Sequence, residues 1–182
     1  MRSRFLFAAA ALLAATPAFG AVSVHGNSAA RSCYLAAESR GTPTADALRF
    51  CDEALVREGL TDEESAATFV NRGILKARLG HRDDAISDYD AALGRNPDEP
   101  EAYLNKGFAL LQLSESGAEA KPLFDTALAK KTRRPQLAYY GRGVAHELAG
   151  QVGAAYQDYR QASRLDPKWL EPKAELARFR VN

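Results

Sequence analysis

Cysteine, tryptophan, methionine and histidine are all scarce in this chain of 182 residues, which holds two, one, one and three of them. Two cysteines cannot build a disulfide-dense scaffold, and 13 glycines with 8 prolines give no collagen period. Packing therefore rests on hydrophobic burial, for which a 46% hydrophobic fraction is ample. Charge of one sign is also lacking: 24 Lys plus Arg stand against 23 Asp plus Glu. That balance predicts no nucleic-acid partner and no broad anionic-membrane footprint. His25, His81 and His146 stand apart, and His146-Glu147 does not extend to HExxH. Without a CxxC pair, a glycine-rich phosphate loop or a nucleophile elbow, the expected catalytic, cofactor and metal sites are none, and the chain is not an enzyme.

Long apolar runs are short of what a bilayer needs. The run from Phe5 to Ala15 has 11 residues, against the roughly 20 required to span. Arg2 and Arg4 precede it and Thr16-Pro17-Ala18-Phe19-Gly20-Ala21 follows. A basic start, a short apolar centre and a small-residue exit are the marks of a secretory signal peptide. Residues 1–20 are read as that leader, cut after Gly20 because Ala18 and Gly20 form the small pair two apart. A mature chain 21–182, periplasmic or secreted and with no integral membrane segment, would carry 22 basic and 23 acidic residues. Residues 38–101 hold 15 acidic and 8 basic side chains, and residues 102–182 hold 8 and 13.

An internal repeat decides the fold. Ala92, Ala127 and Ala162 lie 35 apart, as do Tyr89, Phe124 and Tyr159, while Gly73, Gly107 and Gly143 recur at 34 and 36. Phe69, Tyr103 and Tyr139 each stand four residues before that glycine. A glycine in mid-helix costs about 1 kcal/mol against alanine, so its regular return implies a second helix pressed onto the backbone. Apolar spacing supports helices over Ala66 to Leu79 and Asp84 to Leu93, with Gly80 and Asn96-Pro97 as exits. Asp62-Glu63-Glu64 suits a helix start, and Pro43 and Pro100 suit turns or first helical positions.

In these residues the chain resembles the tetratricopeptide-repeat family, whose unit is a pair of antiparallel helices. The stretch AATFVNRGILKARLGHRDDAISDYDAALGRNPDE, residues 66–99, puts Phe69, Gly73, Ala85, Tyr89, Ala92 and Pro97 on family positions without a gap. A second unit, 100–134, supplies Tyr103, Gly107, Leu110, Ala120, Phe124 and Ala127, with one extra residue in the Ser114 to Gly117 turn and Thr132 where proline is expected. A third, 136–169, supplies Tyr139, Gly143, Ala155, Tyr159, Ala162 and Pro167. Arg72, Lys106 and Arg142 replace residues that are often apolar, and Lys76 and His146 replace aromatics; both departures are expected to weaken the core slightly. A degenerate unit at 28–60 spaces Ala47, Cys51 and Ala54 like Ala85, Tyr89 and Ala92. The domain is thus 28–168, preceded by a 21–27 extension and closed by a capping helix and tail in 169–182.

The resemblance implies an all-α, right-handed solenoid of antiparallel helix pairs that binds a peptide or protein partner in a concave groove lined by the first helices. Carried over residue by residue, the groove presents Asn71, Ile74 and Arg78, then Asn105, Phe108 and Gln112, then Tyr140 and Glu147. Asn71 and Asn105 would bond an extended backbone, and Phe108 and Tyr140 would grip side chains. Relatives that clamp a carboxylate terminus use groove lysines and arginines, and Val70, Ile74, Leu137 and Gly141 in those places argue against that specificity. The competing reading is a structural subunit of a bacterial envelope complex that docks by its outer face. Packing like the later pairs would bring Cys33 and Cys51 within about one turn, so a disulfide is expected, with two buried thiols as the alternative. Lys130-Lys131-Thr132-Arg133-Arg134 is read as a solvated turn, or else a contact for an acidic protein or anionic polymer. Oligomeric state is left open.

Overall fold

The computed structural model describes residues 20–23, 28–113 and 117–179. The leader expected over 1–20 falls outside them except for Gly20. The described residues form α1 (Ala29–Glu38), α2 (Ala45–Arg57), α3 (Asp62–Arg78), α4 (Arg82–Arg95), α5 (Pro100–Leu113), α6 (Lys121–Ala129), α7 (Pro135–Leu148), α8 (Val152–Leu165) and α9 (Glu171–Arg178). Each odd helix from α1 to α7 packs with its successor as an antiparallel hairpin, hairpins stack on one another, and α9 covers α8.

Local chemistry sets where these helices begin and end. Ser28, Thr44 and Thr61 accept the orphan N–H groups of Arg31, Ala47 and Glu64, and Glu64 reaches back to the Thr61 N–H to complete a capping box. Pro100 and Pro135 take first helical positions, where a missing N–H costs nothing. Gly80 and Gly150 follow α3 and α7 with φ of 86° and 72°, a turn that L side chains adopt poorly. Glu58, past the end of α2, accepts the N–H groups of Ala29 and Ala30 at 2.6 and 3.1 Å, holding the start of α1.

The glycine–aromatic register is the packing rule of the stack. A Cβ on Gly73 would lie 2.5 Å from the Tyr89 ring, one on Gly107 2.9 Å from Phe124, and one on Gly143 2.8 Å from Tyr159. Gly141 brings α7 onto Phe124 from the next hairpin, with 2.4 Å to a Cβ. One buried cluster runs from Ala21 and Val22 through α1 to α4 and takes in Ala102 and Ala109 of α5, and a second runs from the other residues of α5 to α8, with Leu176 of α9 packed against it. Cys51 stands in the aromatic register of α2 and is bonded to Cys33 of α1, with Cα atoms 4.9 Å apart. The disulfide thus crosslinks the hairpin that lacks the ring.

The cations that replace apolar residues do not simply weaken the core. Arg72 makes two bonds to buried Asp88 of α4, at 2.9 and 2.6 Å, and one to Asp52 of α2 at 2.7 Å. Arg142 repeats the arrangement with Asp158 of α8 and Asp125 of α6. Each guanidinium thereby ties the second helices of successive hairpins together from the first helix between them. Lys76 and His146 approach the same two aspartates at 2.8 and 3.7 Å. Leu123 occupies the corresponding place in α6, and Lys106 pairs instead with Asp90 of the preceding hairpin at 2.5 Å.

Candidate peptide-binding groove

Asn71 of α3 and Asn105 of α5 stand two residues before Gly73 and Gly107, on the same face of successive first helices. On that face Asn71 and Asn105, 34 residues apart, meet the non-helical segment 20–23. The Val22 N–H donates to Asn71 Oδ1 at 2.8 Å, and Asn71 Nδ2 donates to the Val22 carbonyl at 2.7 Å. One buried amide thus satisfies both backbone groups of a single residue. Asn105 Nδ2 donates to the Glu101 carbonyl at 2.8 Å and, at 3.4 Å, to the Gly20 carbonyl. Ala21 and Val22 are themselves buried.

Acidic residues, none of them singled out by the sequence pattern, flank the Gly20 end. Glu101, 1% exposed, accepts through Oε1 from Thr132 Oγ1 at 3.1 Å and from the Arg133 N–H at 2.8 Å. Thr132, where proline was expected, therefore provides a donor for a buried carboxylate. Glu101 Oε2 and Asn105 Oδ1 are buried without a partner. Burial, reinforced by the neighbouring Glu101 carboxyl, pushes the Glu99 carboxyl up to about 7. Two acids around Pro100 at a helix start were the available signal, but sequence does not show that they face inward.

The remaining expected groove residues have other occupations. Ile74 is fully buried in the first cluster. Phe108 is 2% exposed and packs edge-on to Phe124, ring centres 5.1 Å apart, so it is a core ring and not an open grip. Tyr140 lies between Tyr159 and Trp169 at 5.5 and 4.9 Å. Arg78 donates to the Ala37 and Gly41 carbonyls, Gln112 accepts from Arg82 at 3.0 Å, and Glu147 accepts from Tyr159 and Arg178. The basic turn is drawn into ion pairs, Lys130 with Asp98 and Arg134 with Glu38.

Stacked hairpins with a face of first helices define a repeat scaffold that works by noncovalent binding. The chain belongs to the tetratricopeptide-repeat family, whose model matches residues 70–135 and 114–168, together more than half of it. It is similar to the first tetratricopeptide domain of human RPAP3, at 26% identity over 64% of this chain and 90% of that one, TM-score 0.59. Similar too is the first such domain of Spaghetti (RPAP3) bound to the HSP90 peptide SRMEEVD, at 26% identity over 65% and 92%, TM-score 0.60. MamA from Desulfovibrio magneticus RS-1 shares the fold at 24% identity over 84% of each chain, TM-score 0.65. The stacked first helices form a groove of the general tetratricopeptide type that takes a peptide or protein. Among the described residues no cluster fit for a metal ion occurs, and no helix is long and apolar enough to cross a membrane.

Proposed function

We propose that the protein is an exported adaptor that holds a peptide or protein partner along this groove, the partner's extended backbone taking the place of residues 20–23 on Asn71 and Asn105. The observation that carries the reading is the paired bonding of Asn71 to the Val22 N–H and carbonyl. The same amide geometry serves any residue except proline, because only backbone is read. A peptide-bound relative of similar fold supports a peptide as the class of occupant. Export follows from the leader, with a cut after Gly20 and a periplasmic or secreted destination.

Docking by the outer face in an envelope complex has less behind it. Val56 of α2, Val152 and Leu165 of α8 are exposed, but apolar residues placed singly on a surface are ordinary. The test is a pulldown from envelope extract with crosslink mapping, followed by calorimetry on the captured partner. Asn71→Ala and Asn105→Ala should weaken binding about tenfold each, while far-UV circular dichroism stays near wild type. Unchanged binding by both, with crosslinks on α2 and α8, overturns the groove reading in favour of the outer face.

A further inference from the structure

We infer that the buried acceptors Glu101 Oε2 and Asn105 Oδ1 form a receptor for a free α-ammonium, and that its occupant is the chain's own Ala21. The inference rests on the proposed cut after Gly20. Hydrolysis there adds water across the Gly20–Ala21 amide: Gly20 departs with the leader as a carboxylate, and the Ala21 nitrogen becomes an amine that binds a proton at neutral pH. A leader-cleaving protease is the catalyst.

Placement comes first. Asn71 fixes Val22 from both sides, so the Ala21 nitrogen is held one residue from a rigid clamp. On its other side Gly20 is pressed against α5, where a Cβ would lie 2.9 Å from Glu101 Cγ and 3.6 Å from Leu104 Cδ2. Beside it lie two acceptor atoms with no partner, on side chains that are each 1% exposed. Buried acceptors of this kind are rare because each forfeits its bond to water.

Cleavage changes the chemistry at that spot in the direction the pocket lacks. The uncut Ala21 nitrogen has one N–H and no charge; the cut one has three N–H donors and a positive charge. The bond given up is the long one, 3.4 Å, from Asn105 to the Gly20 carbonyl, and Asn105 keeps its 2.8 Å bond to Glu101. Departure of Gly20 also vacates the space against Glu101 Cγ, which frees the carboxylate to turn toward the ammonium. The charged groups around the pocket are Glu99 and Glu101 from the start of α5 and Arg133 from the α6–α7 turn, whose Nε is 3.7 Å from Glu101. Burial first, and Glu101 second, raises the Glu99 carboxyl.

Fusions trimmed to begin at Ala21 or at Gly20 supply the chains, with an Nα-acetylated Ala21 chain and Glu101→Gln in the Ala21 chain as controls. Glutamine keeps an oxygen for Thr132 and Arg133, and circular dichroism checks that the variant folds. With a free Ala21 amine, the chain should melt several degrees above the acetylated and Gly20 forms. In NMR titration its amine should resist deprotonation to above about 9, against about 8 for an ordinary terminus, and Glu101→Gln should return it to the ordinary range. Equal melting of free and acetylated chains, with an ordinary amine, overturns the inference. Intact mass of exported material tests the cut separately: a start elsewhere than Ala21 refutes the cleavage reading even where the trimmed chain shows the pocket working.

Discussion

At the scale of single residues, identical registers do different work. Tyr89, Phe124 and Tyr159 fill the same place in successive hairpins, yet the Tyr89 hydroxyl is buried without a partner while that of Tyr159 donates to Glu147 at 2.9 Å. Tyr89→Phe should therefore raise stability by about 1 kcal/mol, and Tyr159→Phe should lower it by about as much; urea melts of both variants give the comparison. Glu99 adds a dependence on pH. Its carboxyl is raised from 4.5 to about 7 by burial and by Glu101, so the folded state binds more protons than the unfolded one between those values. Stability from this group is full below pH 4.5 and is lost as pH rises through about 7. Glu99→Gln should flatten the fall in melting temperature between pH 5 and 8, and a fall of wild-type slope in the variant would assign it to another group. The glycine–aromatic register was legible because it is periodic and costly. Arg72 and Arg142 were misjudged as defects, because sequence shows a cation in a core position but not the aspartate 16 residues on that turns to meet it.

Helices are the scale at which exposure of the groove was misread. Phe108 follows close-packed Gly107, and one helical position separates the groove face from the face against α6; the ring takes the latter and meets Phe124. Nothing in Gly20-Ala21-Val22-Ser23 marks it as a segment that seats on α3 and α5, since its hydrogen bonds are made by backbone, which every sequence carries alike, and two small apolar residues, Ala21 and Val22, are all it adds to the core. The closing helix was legible from the end of the repeat pattern. Phe179, just beyond α9, comes within 5.9 Å of the Tyr159 ring, and Arg178 pairs with Glu147 and Glu175. A chain ending at Leu170 should lose several degrees of melting temperature and show raised hydrogen exchange in α7 and α8, with α1 to α4 unchanged, because each hairpin leans only on its neighbours.

For the whole molecule that same nearest-neighbour logic makes the two ends the weak points, and they are secured differently. α9 and its rings cover one; the Cys33–Cys51 bond staples the other. A crosslink over an 18-residue separation contributes roughly 3 kcal/mol in the chain-entropy account. Reduction should speed hydrogen exchange in α1 and α2 first and leave α5 to α8 at wild-type protection. Uniform loss across all helices would mean that the stack unfolds as a single unit.

The Asp–Arg–Asp bridges give this stack a mechanical character. Arg72 reaches from Asp52 to Asp88 and Arg142 from Asp125 to Asp158, so two of the junctions between outer helices carry a pin. A pinned outer edge leaves rotation about the pins as the easy motion, like leaves of a fan held at the rivet. The opposite edge, where Asn71 and Asn105 sit, is then the one with room to spread or close.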